Sequence, residues 1–241
     1  MSFLEPVEER SGAAELRAAS YRLLRLKRGA TCVDVGCGAG YAVAELARKG
    51  LKVTGIDADP EAVEAARERA PGAMFHVAHS DDLPLEDESM DGYRAMRLFH
   101  LLEDSVPTIA EARRVLRPGG RIVVGGRDYG FVMITSSDQD LTDVIRLGLE
   151  SHTVSPRAVR DLRDVLLDAK FHDVEVVVHT EVVTDHKQMT TQLKAAANAA
   201  VEKALITKED ADGWLAEQAA RARRDRFLAA VPTLLVAATA A

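Results

Sequence analysis

Cysteine is nearly absent from this sequence, and so are an excess of positive charge, a long uninterrupted apolar run and any cluster of metal-ligating residues. The only cysteines are Cys32 and Cys37, in a β-branched stretch and the glycine turn after it. A cross-link there would fix nothing, so reduced thiols in a cytoplasmic protein are expected. The 31 Lys and Arg are outnumbered by 38 Asp and Glu, giving a net charge of -7 and a pI near 5.6. That balance argues against a nucleic-acid partner, which would need a basic face. The basic run near residues 221–226 reads as a mixed-charge helix face. No charged start leads into an apolar core, so no secretory leader is expected. The tail at residues 227–241 is too short, and too interrupted by Pro232, to span a bilayer. No internal repeat or low-complexity tract is found. With 47% hydrophobic residues over 241 positions, the chain can bury the core of one large α/β domain.

What is present is concentrated between Thr31 and Pro60. A β-branched run (Val33, Val35) enters a turn with glycine at alternate positions (Gly36, Gly38, Gly40). A helical stretch follows from Tyr41 to Lys49, then a short strand from Lys52 to Ile56 closed by Asp57. A strand feeding a glycine loop and a helix lets backbone approach a nucleotide-like ligand. An acid about 20 residues further on is placed for a ribose hydroxyl pair. An adenosine-containing cofactor is the expectation. No Gly-Lys-Ser/Thr follows the first glycine, so a phosphate loop of the Walker kind fails. The dinucleotide pattern G-x-G-x-x-G also fails, because Tyr41 stands where its third glycine belongs.

Acidic-x-Gly-x-Gly-x-Gly over Asp34–Gly40, followed by GIDADP, resembles the first two cofactor motifs of class I S-adenosylmethionine-dependent methyltransferases. AHSDDLPLEDESMD resembles the third cofactor element of that family, with Leu83, Pro84, Asp87, Ser89 and Asp91 matching. One departure stands out: the adenine-binding aspartate of the family falls on His79, with Ser80 next. The Ser80 amide could still meet adenine, with His79 or Asp81 replacing the carboxylate. The stretch from Arg97 to Arg121, ending RVLRPGGR, is similar to the branch related to ubiquinone and menaquinone biosynthesis enzymes.

The resemblance implies S-adenosyl-L-methionine as cofactor, held by Asp34, Gly36, Gly38, Gly40, Asp57, Ala58, His79, Ser80, Asp81, Met96 and Arg97. Arg97 either pairs with the methionine carboxylate or bonds loop carbonyls. His100 is the candidate general base, although the commoner histidine position of the family falls on Leu101. No metal is called for. The partner is a small-molecule acceptor with an oxygen, nitrogen or carbon nucleophile; neither nucleic acid nor a membrane is expected. Two other uses of the pattern stay open: a protein of this fold that binds S-adenosylmethionine without methyl transfer, such as a cyclase or a regulatory partner, and a nicotinamide oxidoreductase, which the early third glycine disfavours.

The implied fold is Rossmann-like α/β: seven strands, mostly parallel, helices on both faces, and one antiparallel edge strand. Residues 1–29 form an N-terminal helical cap, in which Tyr21 is either a pocket residue or a partly buried surface one. Residues 30–184 form the cofactor-binding core. A helical insertion over residues 185–227 is a candidate lid or homodimer contact, and residues 228–241 supply the last strand. Further expectations are a helix face of Ile109, Ala112, Val115 and Leu116, and Asp128 and Tyr129 facing the cleft. A helix capped by Ser155 with Pro156 at its first position should follow His152. Thr207 should cap the second insertion helix, and Trp214 is either core or substrate-facing.

Overall fold

β1 (Thr31–Val35) pairs in parallel with β2 (Lys52–Asp57) on one side and β4 (Met90–Met96) on the other. The computed structural model describes residues 11–150 and 153–241, so His152 and the first ten residues of the cap lie outside the described residues. β3 (Met74–Val77) extends the sheet beyond β2, and β5 (Leu116–Arg127) extends it beyond β4. These five parallel strands all aim their carboxyl ends at one edge, where open α/β sheets bind ligands.

Beyond β5 the direction reverses. β8 (Ala229–Ala240) runs antiparallel between β5 and β7 (Phe171–Val183). The two-residue β6 (Met133–Ile134) pairs with Ala229 and Ala230 of β8, past the point where Arg127 ends the β5 ladder. Among the described residues the sheet therefore has eight strands, one more than the seven expected, the short β6 being the addition. The mostly parallel sheet with a reversed strand near one margin is as expected. The reversed strand sits one place in from the margin, because β7 pairs on its outer side.

The helices follow from periodicity and caps. α1 (Ser11–Leu24), α2 (Tyr41–Arg48) and α3 (Pro60–Arg69) cover one face of the sheet, their buried residues including Leu24, Val43, Leu46, Val63 and Ala66. α3 starts where Asp59 accepts the Glu61 amide and Pro60, which has no N–H to leave unpaired, takes the first helical position. α4 (Val106–Val115) and α6 (Leu162–Asp168) cover the opposite face with Ile109, Ala112, Val115, Leu162 and Leu166. Leu116 packs in the same cluster but opens β5, the Arg-Pro-Gly-Gly turn being a bulge within the strand with Gly119 at φ 79°.

A third layer stands beside the end of β7 and the start of β8. α5 (Gln139–Leu149), α7 (Thr190–Glu202) and α8 (Lys208–Arg223) share one core with β6 and Phe227. The two insertion helices thus join α5. Trp214 is 2% exposed and donates its indole N–H to Thr142 at 2.8 Å, which makes it core. Thr207 caps α8 in a reciprocal capping box with Asp210. The cap expected at Ser155 is absent: its hydroxyl donates to the Leu102 carbonyl at 2.6 Å. A single 3-10 turn spans Ala158–Arg160, and α6 begins only at Leu162. Among the described residues, no helix is long and apolar enough to cross a membrane.

Candidate active site

The glycine turn is built by backbone demands. Gly36, Gly38 and Gly40 have φ of 70°, 50° and 78°, values that side chains with a Cβ disfavour. The amides of Gly36 and Cys37 both donate to the Ile56 carbonyl, at 2.8 and 3.0 Å. The Gly38 amide donates to Asp57 Oδ2 at 2.8 Å, and Asp57 Oδ1 accepts the Asp59 amide at 3.0 Å. The loop after β1 and the acid closing β2 are therefore one bonded unit. Ala58 follows, exposed. At the end of β3, His79 and Asp81 are exposed and Ser80 is half-buried, its hydroxyl 2.7 Å from that of Thr108 on α4. A groove of about 570 Å3 lined by Arg67, Phe75, His79 and Asp82 runs along this margin.

Asp34 lies beneath the loop, 1% exposed. Its Oδ1 meets the Arg94 guanidinium at 2.6 Å, while Oδ2 is buried without a hydrogen-bond partner. Burial pushes this carboxyl above its ordinary range, and Arg94 opposes the shift. Arg94 also donates to Ser20 at 3.0 Å, and the Tyr21 ring lies 5.8 Å from its guanidinium carbon. Tyr21 in turn donates to Glu45 at 2.8 Å, and Arg17 pairs with the same carboxylate at 2.8 Å. α1 is thus tied to β1, β4 and α2, with Tyr21 serving as one of the ties.

Met96 ends β4 with its side chain buried beside Ala19 and Leu235, packed under α1. The next residue, Arg97, holds a left-handed φ of 59° and donates its amide to Gly125 at 2.8 Å. Burial and the nearby Arg127 guanidinium pull the Arg97 side chain down to about 10. His100 lies on a 3-10 turn just beyond, half-buried, its ring 5.7 Å from that of Tyr129. Burial, then Arg97 and Arg127, pull its imidazole down to about 4. A neutral imidazole has a free nitrogen lone pair, which a proton acceptor requires.

Arg127 ends β5 and pairs with Glu181 of β7 at 3.1 Å; that pair had no signal in the sequence, its members lying far apart. Asp128 does not face the cleft. It is fully buried and grips Arg160 through both oxygens, at 2.5 and 2.9 Å, while also capping the Gly130 amide. An acid at a strand end reads as a ligand contact until its cation, many residues later, is seen. Tyr129 is half-buried, packed against the core shared by α5, α7 and α8 with its ring beside that of His100.

The residues present fit S-adenosylmethionine. Three positions without Cβ leave the loop open to close approach. The half-buried Asp57 carboxylate at the mouth of the loop suits a ligand carrying two ribose hydroxyls.

Residues 33–124 match a family model described as a methyltransferase domain. An uncharacterized 37.1 kDa protein in transposon TN4556 of Streptomyces fradiae is 31% identical over 100% of this chain and 71% of its own length. The 27-O-demethylrifamycin SV methyltransferase of Amycolatopsis mediterranei is 36% identical over 43% of this chain and 40% of that protein, so the match spans less than half of this relative. In fold, a putative methyltransferase from Bacillus halodurans is similar with a TM-score of 0.66, covering 92% of this chain and 97% of that one at 14% identity.

Proposed function

Because the chain belongs to the class I S-adenosylmethionine-dependent methyltransferases, we propose that it transfers a methyl group from S-adenosylmethionine to a small-molecule acceptor. The observation that carries this reading is the unit formed by Asp57 and the left-handed glycine loop, bonded at Gly38. It combines a backbone open to the cofactor with an acid at the ribose position.

When bound, S-adenosylmethionine supplies a methyl group already activated by a positive sulfur. The protein's tasks are then to bind, align and exclude water. Gly36, Gly38 and Gly40 admit the cofactor, Asp57 takes the ribose hydroxyls, and Ala58, His79, Ser80 and Asp81 border the adenine. Asp34 braces the strand beneath the loop through its bond to Arg94. Arg97 and His100 stand on the acceptor side, beyond β4. His100, held neutral, takes up a proton where the acceptor must lose one. The layer of α5, α7 and α8 serves as the wall or lid of the acceptor pocket.

Titration calorimetry with S-adenosylmethionine, S-adenosylhomocysteine and NADH tests the reading. Binding of the first two without the third is expected; tight NADH binding alone overturns it. Release of S-adenosylhomocysteine in the presence of an acceptor separates methyl transfer from use of the same fold for cyclisation or regulation.

A further inference from the structure

We propose that two copies of this chain pair through the outer edge of β7, about a two-fold axis at Val177, so that the sheet of one molecule continues into the next. β7 is a margin of the sheet: among the described residues it pairs with β8 on one side and with no strand on the other. It is 13 residues long, and the backbone amides and carbonyls along such an edge are a template for another strand. Edges that stay single are blunted by lysine, proline or unpaired charge. β7 has neither lysine nor proline, and its two glutamates are held within the chain, Glu175 by Arg25 at 2.9 Å and Glu181 by Arg127 at 3.1 Å.

The two faces of the strand differ. Glu181 lies under α1, close enough that a Cβ on Gly12 would meet its side chain. On the opposite face α6 covers the start of the strand, with Phe171 and Val174 packed in its cluster. Val176, Val178 and Val182 follow, 44%, 59% and 62% exposed, with exposed Thr180 between them. Four alternate positions thus form an uncharged, mostly valine stripe at the margin of the sheet, the kind of surface that marks a contact. α7 and α8, the contact between copies expected from the sequence, bury their apolar residues against α5 and β6 instead.

The occupant that fits is β7 of a second copy. A strand meets this stripe without burying a charge only if it is itself uncharged at alternate positions, and β7 is such a strand. A two-fold axis perpendicular to the sheet keeps every side chain on its own face, so it passes through a residue and not between two. Centred on Val177, it sets Val176 opposite Val178 twice on the open face, β-branched pairs that suit antiparallel strands. On the other face it sets Glu175 of each copy opposite His179 of the other, an acid against an imidazole. Centring on Val178 would oppose Glu175 and Glu181, and centring on His179 would oppose the two imidazoles; both are pairs of one kind of charge. In the Val177 register Asp173 falls opposite Glu181, but Asp173 stands at φ 51° in the irregularity that shifts β7 against β8, outside the regular ladder.

Sedimentation equilibrium on the full chain tests this. A particle of twice 26.1 kDa is expected at micromolar concentrations. Val178→Lys puts a charge into the stripe and should weaken association about tenfold or more. Leu205→Lys, at an exposed apolar residue between α7 and α8, should leave it unchanged. A second measurement covers the case in which Val178→Lys loses its fold, as read by circular dichroism. The double variant Val176→Cys, Val178→Cys should form a covalent dimer on mild oxidation, since each new thiol faces one of the other copy; Cys32 and Cys37 are buried and take no part. A wild-type chain that is monomeric throughout, a folded Val178→Lys variant that associates as tightly as the wild type, or a double-cysteine variant that stays uncross-linked overturns the inference.

Discussion

Asp57 Oδ2 accepts the Gly38 amide at 2.8 Å, so the acid that closes β2 also sets the shape of the loop that follows β1. A carboxylate oxygen has two lone-pair sites, and one on each oxygen is used by a backbone amide. The remaining sites are open to ribose hydroxyls. Asp57→Ala removes the ribose contact and the anchor of the loop together. It should weaken S-adenosylmethionine binding about tenfold or more, the loss of a charged hydrogen bond of about 1.5–3 kcal/mol. Asp57→Asn keeps an acceptor for Gly38 and should fall between. Calorimetry reads both, and unchanged affinity in the alanine variant removes Asp57 from the site.

Gly40 stands where the loop becomes α2, at φ 78°, and a Cβ there would lie 2.8 Å from Ala66 Cβ and 3.0 Å from its Cα. Both the conformation and the space exclude a side chain. Gly40→Ala should cost about 1–3 kcal/mol in urea unfolding. Gly72→Ala, at a position with open space around it, should change stability by less than about 0.5 kcal/mol. Equal effects would show that the approach of α2 to α3 is looser than described.

The pair of Arg94 and Asp34 is buried on both sides. Arg94→Met leaves a carboxylate in the core without its cation and should cost about 3–5 kcal/mol, while adding Asp34→Leu should recover most of that loss. Urea melts of the single and double variants decide it. If the double variant is no better than the single one, the cost comes from packing or from the lost Ser20 bond.

The His100 imidazole titrates near 4 in the folded protein against 6.5 ordinarily. Between those values the unfolded chain takes up a proton that the folded one refuses, so stability falls as pH drops through the window. The full effect is about 3 kcal/mol at most, and nothing is lost above the upper value. His100→Phe should remove this part of the slope. Parallel wild-type and variant curves over the window would place His100 in a wetter setting. The same shift puts the acidic limb of a methyl-transfer rate profile near 4, if His100 is the group that must be neutral.

What could be read from the sequence was what local backbone geometry dictates. Alternating glycines announce left-handed φ, and Thr207 announces a helix start. The β-branched alternation of FHDVEVVVHTEVV is of the same local kind, and it forms β7. What could not be read depends on partners distant in the chain. Arg160 turns Asp128 from a ligand group into a structural one, Leu102 takes the Ser155 hydroxyl away from a cap, and Arg94 claims half of Asp34. The place of β8 belongs to this class too, since strand order is set by which edge is open when the strand arrives.

That order bears on how the molecule assembles. β7 is hydrogen-bonded into the sheet through β8 alone, and the whole α7–α8 segment lies between these two strands in the chain. Pairing β7 with β8 means looping that segment out, a closure that costs entropy before any ladder bond offsets it. The glycine-loop half, from β3 across to β5, needs no such wait. Folding should therefore run from the donor side to the acceptor side, and the Arg127–Glu181 contact, which bridges β5 and β7, is among the last to form.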